Sequence, residues 1–313
     1  MGKENMNFRT KRTVALTTVV AAGLLAACGS DNGDAEETTT AGGDTSGNTG
    51  EIHIGVPAGW DEGVIISNMT AVTLEEQGYD VELTDAEIGV IFAGIGSGDM
   101  DLLMEVALPT LHADYVNEYE DTIEDLGWWY EENISNVAVN ADAPIDSLDE
   151  LAENADLFNN EIIGIDGGAG ITRLTQEEVI PTYGLEGMEF KISSTAAMLA
   201  ELDAAMSEGR NIAVTIWNPH WAYDAYDIKN LEDPEGAFGE PDQLHTFAHE
   251  GFSEEFPEVA EMLGQVHLSE EDLSRAGNFI MNENGDQDTY EMTSQWLDDN
   301  PEVKERFTLD AED

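Results

Sequence analysis

Cysteine is all but missing from this chain of 313 residues: Cys28 is the only one, so no disulfide can form within it. Basic residues are also scarce, with 11 lysines and arginines against 67 aspartates and glutamates, a formal charge of −56. That imbalance excludes nucleic acid and anionic lipid surfaces as direct partners, since both require the opposite sign. Long apolar runs are lacking as well. The longest, Val14 to Ala27, is too short to span ~30 Å of hydrocarbon. No Ser-His or Cys-His nucleophile pattern stands out, and paired carboxylates carry no information when acids are this abundant. No acidic cluster has the ligand spacing and central glycine of a calcium loop. His245 and His249 stand four apart but lack a third ligand at supporting spacing. No catalytic residue, metal or cofactor is therefore expected.

The amino terminus carries Lys3, Arg9, Lys11 and Arg12 before the apolar run, and small residues follow it. This is the pattern of a secretion signal, placed at residues 1–27. Leu25-Ala26-Ala27-Cys28 resembles a bacterial lipobox, which implies a mature chain that begins at a lipidated Cys28 and is held to the membrane by that lipid. Residues 28–50 are acidic and rich in Gly, Ser and Thr, too poor in apolar groups to offset ordering entropy, and read as a tether. Removal of the signal leaves 7 basic and 66 acidic side chains, a formal −59. Yet 41% of the residues are apolar and they fall in periodic patterns, so the charge belongs on the surface of a folded protein. Such self-repulsion is relieved when molar salt shortens the Debye length to ~3 Å, which points to a halophilic or salt-tolerant source.

Ile52, Ile54 and Val56 alternate as in a strand, Ile65, Met69 and Val72 follow at helical spacing, and Tyr79 to Leu83 reads as a second strand. A helix from Ile88 to Ile95 and a strand from Leu102 to Leu108 complete a β-α-β-α-β start. A polar turn and capped helix between Asn140 and Leu151 read as a lobe boundary, after which a second α/β series runs through Ile162–Ile165, Thr172–Val179, Phe190–Ser193, Met198–Met206 and Ile212–Trp217. From about His245 onward the pattern reads as helical. The expectation is two α/β lobes, each with a mainly parallel sheet: residues 51–140 and 245–313 in lobe 1, residues 141–244 in lobe 2.

Ligands of open α/β sheets bind beyond the carboxyl ends of strands, and Trp60, His112 and Trp217 all fall there. A methylated ammonium donates no N–H hydrogen bond and is held by indole faces, so Trp60 and Trp217 read as two walls of an aromatic cage. Gly168-Ala169-Gly170-Ile171 opens a helix whose free N–H groups favour an anion. Together these match a small methylated zwitterion. Asp61 and Glu62 read as acids in the first turn of a helix. An acid beside the cage is also what choline, which has no carboxylate, would want.

Five ordered blocks resemble the glycine betaine-binding proteins of ABC importers: Gly59-Trp60-Asp61-Glu62-Gly63, Leu108-Pro109-Thr110-Leu111-His112-Ala113-Asp114-Tyr115, Gly164-Ile165-Asp166-Gly167-Gly168-Ala169-Gly170-Ile171, Ser193-Ser194-Thr195-Ala196-Ala197-Met198-Leu199 and Trp217-Asn218-Pro219-His220-Trp221. The resemblance implies a two-lobed type II periplasmic-binding-protein fold with the ligand in the cleft between lobes, no catalysis, and an ABC permease as partner to a monomeric protein. It further implies that Trp60 and Trp217 stack on the trimethylammonium, that the His112 side chain and the N–H groups of Gly170 and Ile171 hold the carboxylate, and that His220 and Trp221 are structural. One departure is Ala107, where the family usually has a third tryptophan. Either Trp128, Trp129 or Tyr130 fills that side, or the pocket is wider. Choline, carnitine, proline betaine and sulfonium solutes are the rival ligands.

Overall fold

A computed structural model describes residues 49–309 apart from Asp286. The signal, Cys28 and nearly all of the tether lie outside the described residues. The first strand β1 (Glu51–Pro57) buries Ile52, Ile54 and Val56 and pairs in parallel with β2 (Asp80–Ala86) on one side and β3 (Leu102–Leu108) on the other. Between them run helices α1 (Asp61–Glu76) and α2 (Ile88–Ser97). β3 is buried along almost its whole length because both of its faces are covered. A short helix, α3 (Ala113–Glu118), follows it.

The next element is an 18-residue strand, β4 (Ile123–Asn140). Its first part pairs antiparallel with β9 (Asp242–His249), up to Asn133 opposite Asp242. From Ile134 onward it pairs antiparallel with β7 (Ala213–Asn218), and its end also takes β8 (Ile228–Asn230). β5 (Glu161–Ile163) joins β6 (Glu189–Lys191) and β7 in parallel. The resulting order is β2-β1-β3-β9-β4-β7-β5-β6, with β8 also on β4. The sheets are thus mixed rather than mainly parallel, and the antiparallel pairs are those made by β4 and β9, the strands that connect the two halves. The change of partner on β4 comes at Asn133–Ile134, ahead of the turn at Asn140–Leu151, because a continuous strand carries no breaker where it passes from one half to the other.

The segment from His245 does not begin as helix. β9 buries Leu244, Thr246 and Ala248 on alternate positions and only then gives way to helices. His245 and His249 lie on this strand and face Asp125 at 3.0 Å and Asp101 at 3.2 Å. Among the described residues no group of three or more His, Cys, Asp or Glu could hold a metal. The helices after β9 pack Leu273, Ile280, Trp296 and Phe307 into one core with Ile65, Met69 and Leu74 of α1.

Asp242 ties this return to the site. Only 3% exposed, its carboxylate accepts the backbone N–H of Thr110 at 2.7 Å and of Leu111 at 3.0 Å. It thereby fixes the turn between β3 and His112. Replacing Asp242 by Ala strands both donors and should cost about 1–3 kcal/mol. Urea unfolding of the variant beside the parent measures this, and an unchanged midpoint would show the turn holds without it.

Candidate functional site

The site lies where the ends of β1, β3 and β7 and the start of α4 (Gly170–Leu174) converge. Trp60 ends the turn after β1, His112 the turn after β3, and Trp217 sits near the end of β7. All three are buried and line one cavity together with Gly170 and Ile171. The five residues that the sequence singles out for the ligand are therefore neighbours in space. The cavity measures about 20 Å³, on the order of the room needed by one water. In this arrangement the cavity has no room for an organic solute.

The indoles of Trp60 and Trp217 stand with centroids 6.1 Å apart and planes at 62°, and the His112 ring lies parallel to Trp60 at 5.7 Å. Two apolar faces set at a steep angle are what a rounded methylated cation requires. His112 Nδ1 accepts the Ala107 N–H at 2.9 Å, so its proton sits on Nε2, which has no partner. Burial, with the charge of Arg173, lowers the imidazole to about 3. It stays neutral, a single N–H donor at the cavity. Gly170 and Ile171 take the first positions of α4, where backbone N–H groups have no carbonyl partner within the helix. Two indoles, an unpartnered imidazole N–H and the first residues of a helix are thereby brought to one cavity.

Trp128, Trp129 and Tyr130 do not line the cavity. Trp129 is buried in the core of the first half, where its indole N–H donates to the Met104 carbonyl at 2.6 Å, and Trp128 packs on His267 with centroids 4.1 Å apart. The pairing of β4 with β9 shifts register before, within and after this stretch. Beside Ala107 the wall is completed instead by Glu105, Asn133 and Leu111. Glu105 carried a signal in the sequence: an acid inside the apolar run Leu-Leu-Met-Glu-Val-Ala-Leu of a central strand. Asn133 carried none.

Asp61 and Glu62 do open α1, but neither side chain caps it, and both are buried. Glu62 turns into the cavity wall, where its Oε1 accepts the indole N–H of Trp217. Burial, with repulsion from Asp61, pushes Glu62 up to about 8, and burial raises Asp61 to about 7. Glu105 is raised by burial and by Glu62. His220 and Trp221 pack behind Trp217. His220 Nδ1 accepts the Ala222 N–H at 3.1 Å, and the ring meets the Trp217 indole edge-on at 5.0 Å.

Several contacts cross between the halves. The Arg173 guanidinium donates to the Thr110 carbonyl at 3.0 Å and pairs with Asp114 at 3.3 Å, and the Tyr115 hydroxyl donates to the Gly168 carbonyl at 3.2 Å. Gly170 sits under the Leu111 carbonyl so closely that a Cβ there would stand 2.3 Å from its oxygen. The sequence reading accounted for Gly170 as an anion donor, whereas the structure adds that only glycine lets the halves meet.

The family model for the substrate binding domain of ABC-type glycine betaine transport systems matches residues 50–299. The chain belongs to this family. The glycine betaine/carnitine transport binding protein GbuC of Listeria monocytogenes is 34% identical over 168 residues, which span 53% of this chain and 54% of that protein, about half of its length. The crystal structure of the glycine betaine/L-proline-binding protein ProX from Borrelia burgdorferi superposes with a TM-score of 0.76 at 28% identity, covering 82% of this chain and 96% of that one. Lactococcal OpuAC, in a closed form complexed with glycine betaine, gives 0.75 at 24% identity over 82% and 98% of the two chains and shares the fold. The family's two-lobed type II periplasmic-binding-protein architecture is the mixed α/β arrangement described above.

Two outcomes follow from the geometry. Gly170→Ala should leave the fold intact but wedge the halves apart, seen as a larger radius of gyration by X-ray scattering; an unchanged radius would mean the Leu111 carbonyl yields. Glu62 holds its proton in the folded state well above its unfolded value, so its contribution to stability falls as pH rises from 4.5 through about 8. Glu62→Gln should therefore gain on the parent across that window, by on the order of 2–4 kcal/mol at the top of it. Thermal melts at pH 5 and pH 9 check this, and an equal difference at both would refute it.

Proposed function

We propose that this protein captures glycine betaine or a related quaternary ammonium solute outside the cytoplasm and hands it to an ABC permease. The observation that carries this reading is the convergence, in one cavity walled by both halves, of the Trp60 and Trp217 indoles with the unpartnered His112 Nε2–H and the leading N–H groups of α4. Indole faces hold the trimethylammonium and the three donors hold the carboxylate. A ligand that bridges the halves favours the closed arrangement by its differential affinity for it. The permease then reads the closed shape. Nothing in this cycle makes or breaks a covalent bond, so no catalysis is assigned.

The finer points of the proposal rest on sequence. Cys28 in its lipobox-like setting supports a lipid-anchored monomer on the outer face of the cytoplasmic membrane, with residues 28–50 as tether. The excess of acids supports a high-salt setting. Cation–π contacts in a dry cage survive salt that screens the partly exposed Arg173–Asp114 pair. Lobe 1 is assigned to residues 51–140 and 245–313 and lobe 2 to residues 141–244, with β4 passing through both sheets.

A second reading draws on Glu62 and Glu105. Two buried acids against the cage suit a ligand of net positive charge, such as choline, better than a zwitterion that brings its own carboxylate. Isothermal titration of the purified protein in about 2 M salt, with glycine betaine, proline betaine, carnitine and choline in parallel, separates the two. Trp60→Ala and Trp217→Ala should each weaken any of these about threefold to thirtyfold. His112→Ala should weaken the carboxylate-bearing ligands about tenfold or more and leave choline nearly unchanged. No binding by any of the four would end the betaine reading and the choline reading together.

A further inference from the structure

The Glu62 and Glu105 side chains come from α1 and β3, are buried at 5% and 2% exposure, and line the cage cavity together, with Glu105 Oε2 packed against Gly63, the next residue of α1. Glu62 Oε2 and Glu105 Oε2 have no donor partner. Two ionised carboxylates cannot bond to one another, because each only accepts. Two buried, unpartnered carboxyls are accommodated when the pair keeps at least one proton. Nor can the surroundings neutralise a fully ionised pair. Facing it are Asp61 on α1, Tyr130 on β4, the indole N–H of Trp217 on β7 and the neutral His112. Among the described residues no cationic side chain lines the cavity, and Arg173, whose charge reaches His112, is engaged by Asp114 and Glu177.

Glu62 is also shared with a second cavity of about 110 Å³ on its other side, walled by Asp61, His220, Asp224 and Glu270. That volume admits several waters, and these four residues offer them polar partners. Glu62 thus borders, besides the cage, a second cavity lined by other acids through which a proton can leave.

We propose that Glu62 and Glu105 form a proton-exchanging pair that matches the charge of the ligand: uncharged beside a zwitterion, and singly ionised beside a cation. When a choline-type cation enters, one carboxyl O–H bond breaks, the proton passes to solvent, and the remaining proton is shared by the two groups. The charge of the cage and its contents is then zero in both complexes. An uncompensated charge in a dry site is costly, so this exchange lets one pocket accept both ligand classes. The inference rests on the betaine and choline reading above and adds to it the identity and action of the charge-matching residues.

The test is titration calorimetry on the purified protein at about pH 6.5, with choline and with glycine betaine, in buffers of different ionisation enthalpy. Choline binding should release about one proton and glycine betaine about none. In the unaltered protein, choline affinity should rise about tenfold per pH unit up to the range where the pair ionises on its own, while glycine betaine affinity stays flat. The E62Q/E105Q double variant should release no proton with choline and shift the preference at least tenfold toward glycine betaine. Equal proton counts for the two ligands would overturn the proposal. So would a proton still released by the double variant, which would assign it to Asp61 or elsewhere. Failure of both ligands to bind the unaltered protein would instead remove the betaine and choline reading, and the proposal with it.

Discussion

Desolvation governs this molecule around its cavity. A methylated cation is held on indole faces only where water is kept out, and the same dryness acts on every polar group nearby. It keeps His112 uncharged, with its proton on Nε2, the ring nitrogen that has no partner. It pushes Asp61, Glu62 and Glu105 toward their neutral forms. It also makes each N–H at the start of α4 more valuable, since no water competes for it. The site's chemistry follows from being dry more than from any one residue.

Dryness depends in turn on how closely the halves meet. Gly170 beneath the Leu111 carbonyl, Arg173 against Thr110 and Asp114, and Trp217 against Glu62 are contacts between segments far apart in sequence. Asp242 supports the turn that presents Leu111 and His112. Binding and closure are therefore one event described from two sides. A change that leaves every ligand-facing atom in place can still abolish binding by letting water in.

Much of this was legible in the sequence, for local reasons. The opening β-α-β-α-β run could be read because Ile52, Ile54 and Val56, then Ile65, Met69 and Val72, show the strand and helix periods within a few residues of each other. Trp60, His112 and Trp217 could be picked out as candidates because each sits at or just after the end of a strand, and the structure sets them on one cavity with Gly170 and Ile171. β4 was not legible: Glu124-Asp125-Leu126-Gly127-Trp128-Trp129-Tyr130 is mostly partly buried with no clean alternation and irregular in register, and its partners lie more than a hundred residues away. β9 was missed because the helices behind it dominate the pattern. Glu62 illustrates the harder limit. A helix's first turn explains an acid there equally well, and only the arrival of Trp217 from the other half shows what the carboxylate faces.

β4 exchanges its partner strand between two consecutive residues, Asn133 and Ile134, and Asn133 itself borders the cavity. Were one half to turn on the other about this exchange, the pivot would lie beside the cavity, while the exposed Asp114 and its partner Arg173 lie at the rim. Rotation about such a pivot works as a lever with a short inner arm and a long outer one. A difference of a methyl group or two in the solute, felt as a small change of angle at the inner end, becomes a larger displacement of the outer surface. A docking transporter could therefore distinguish among solutes that it never touches.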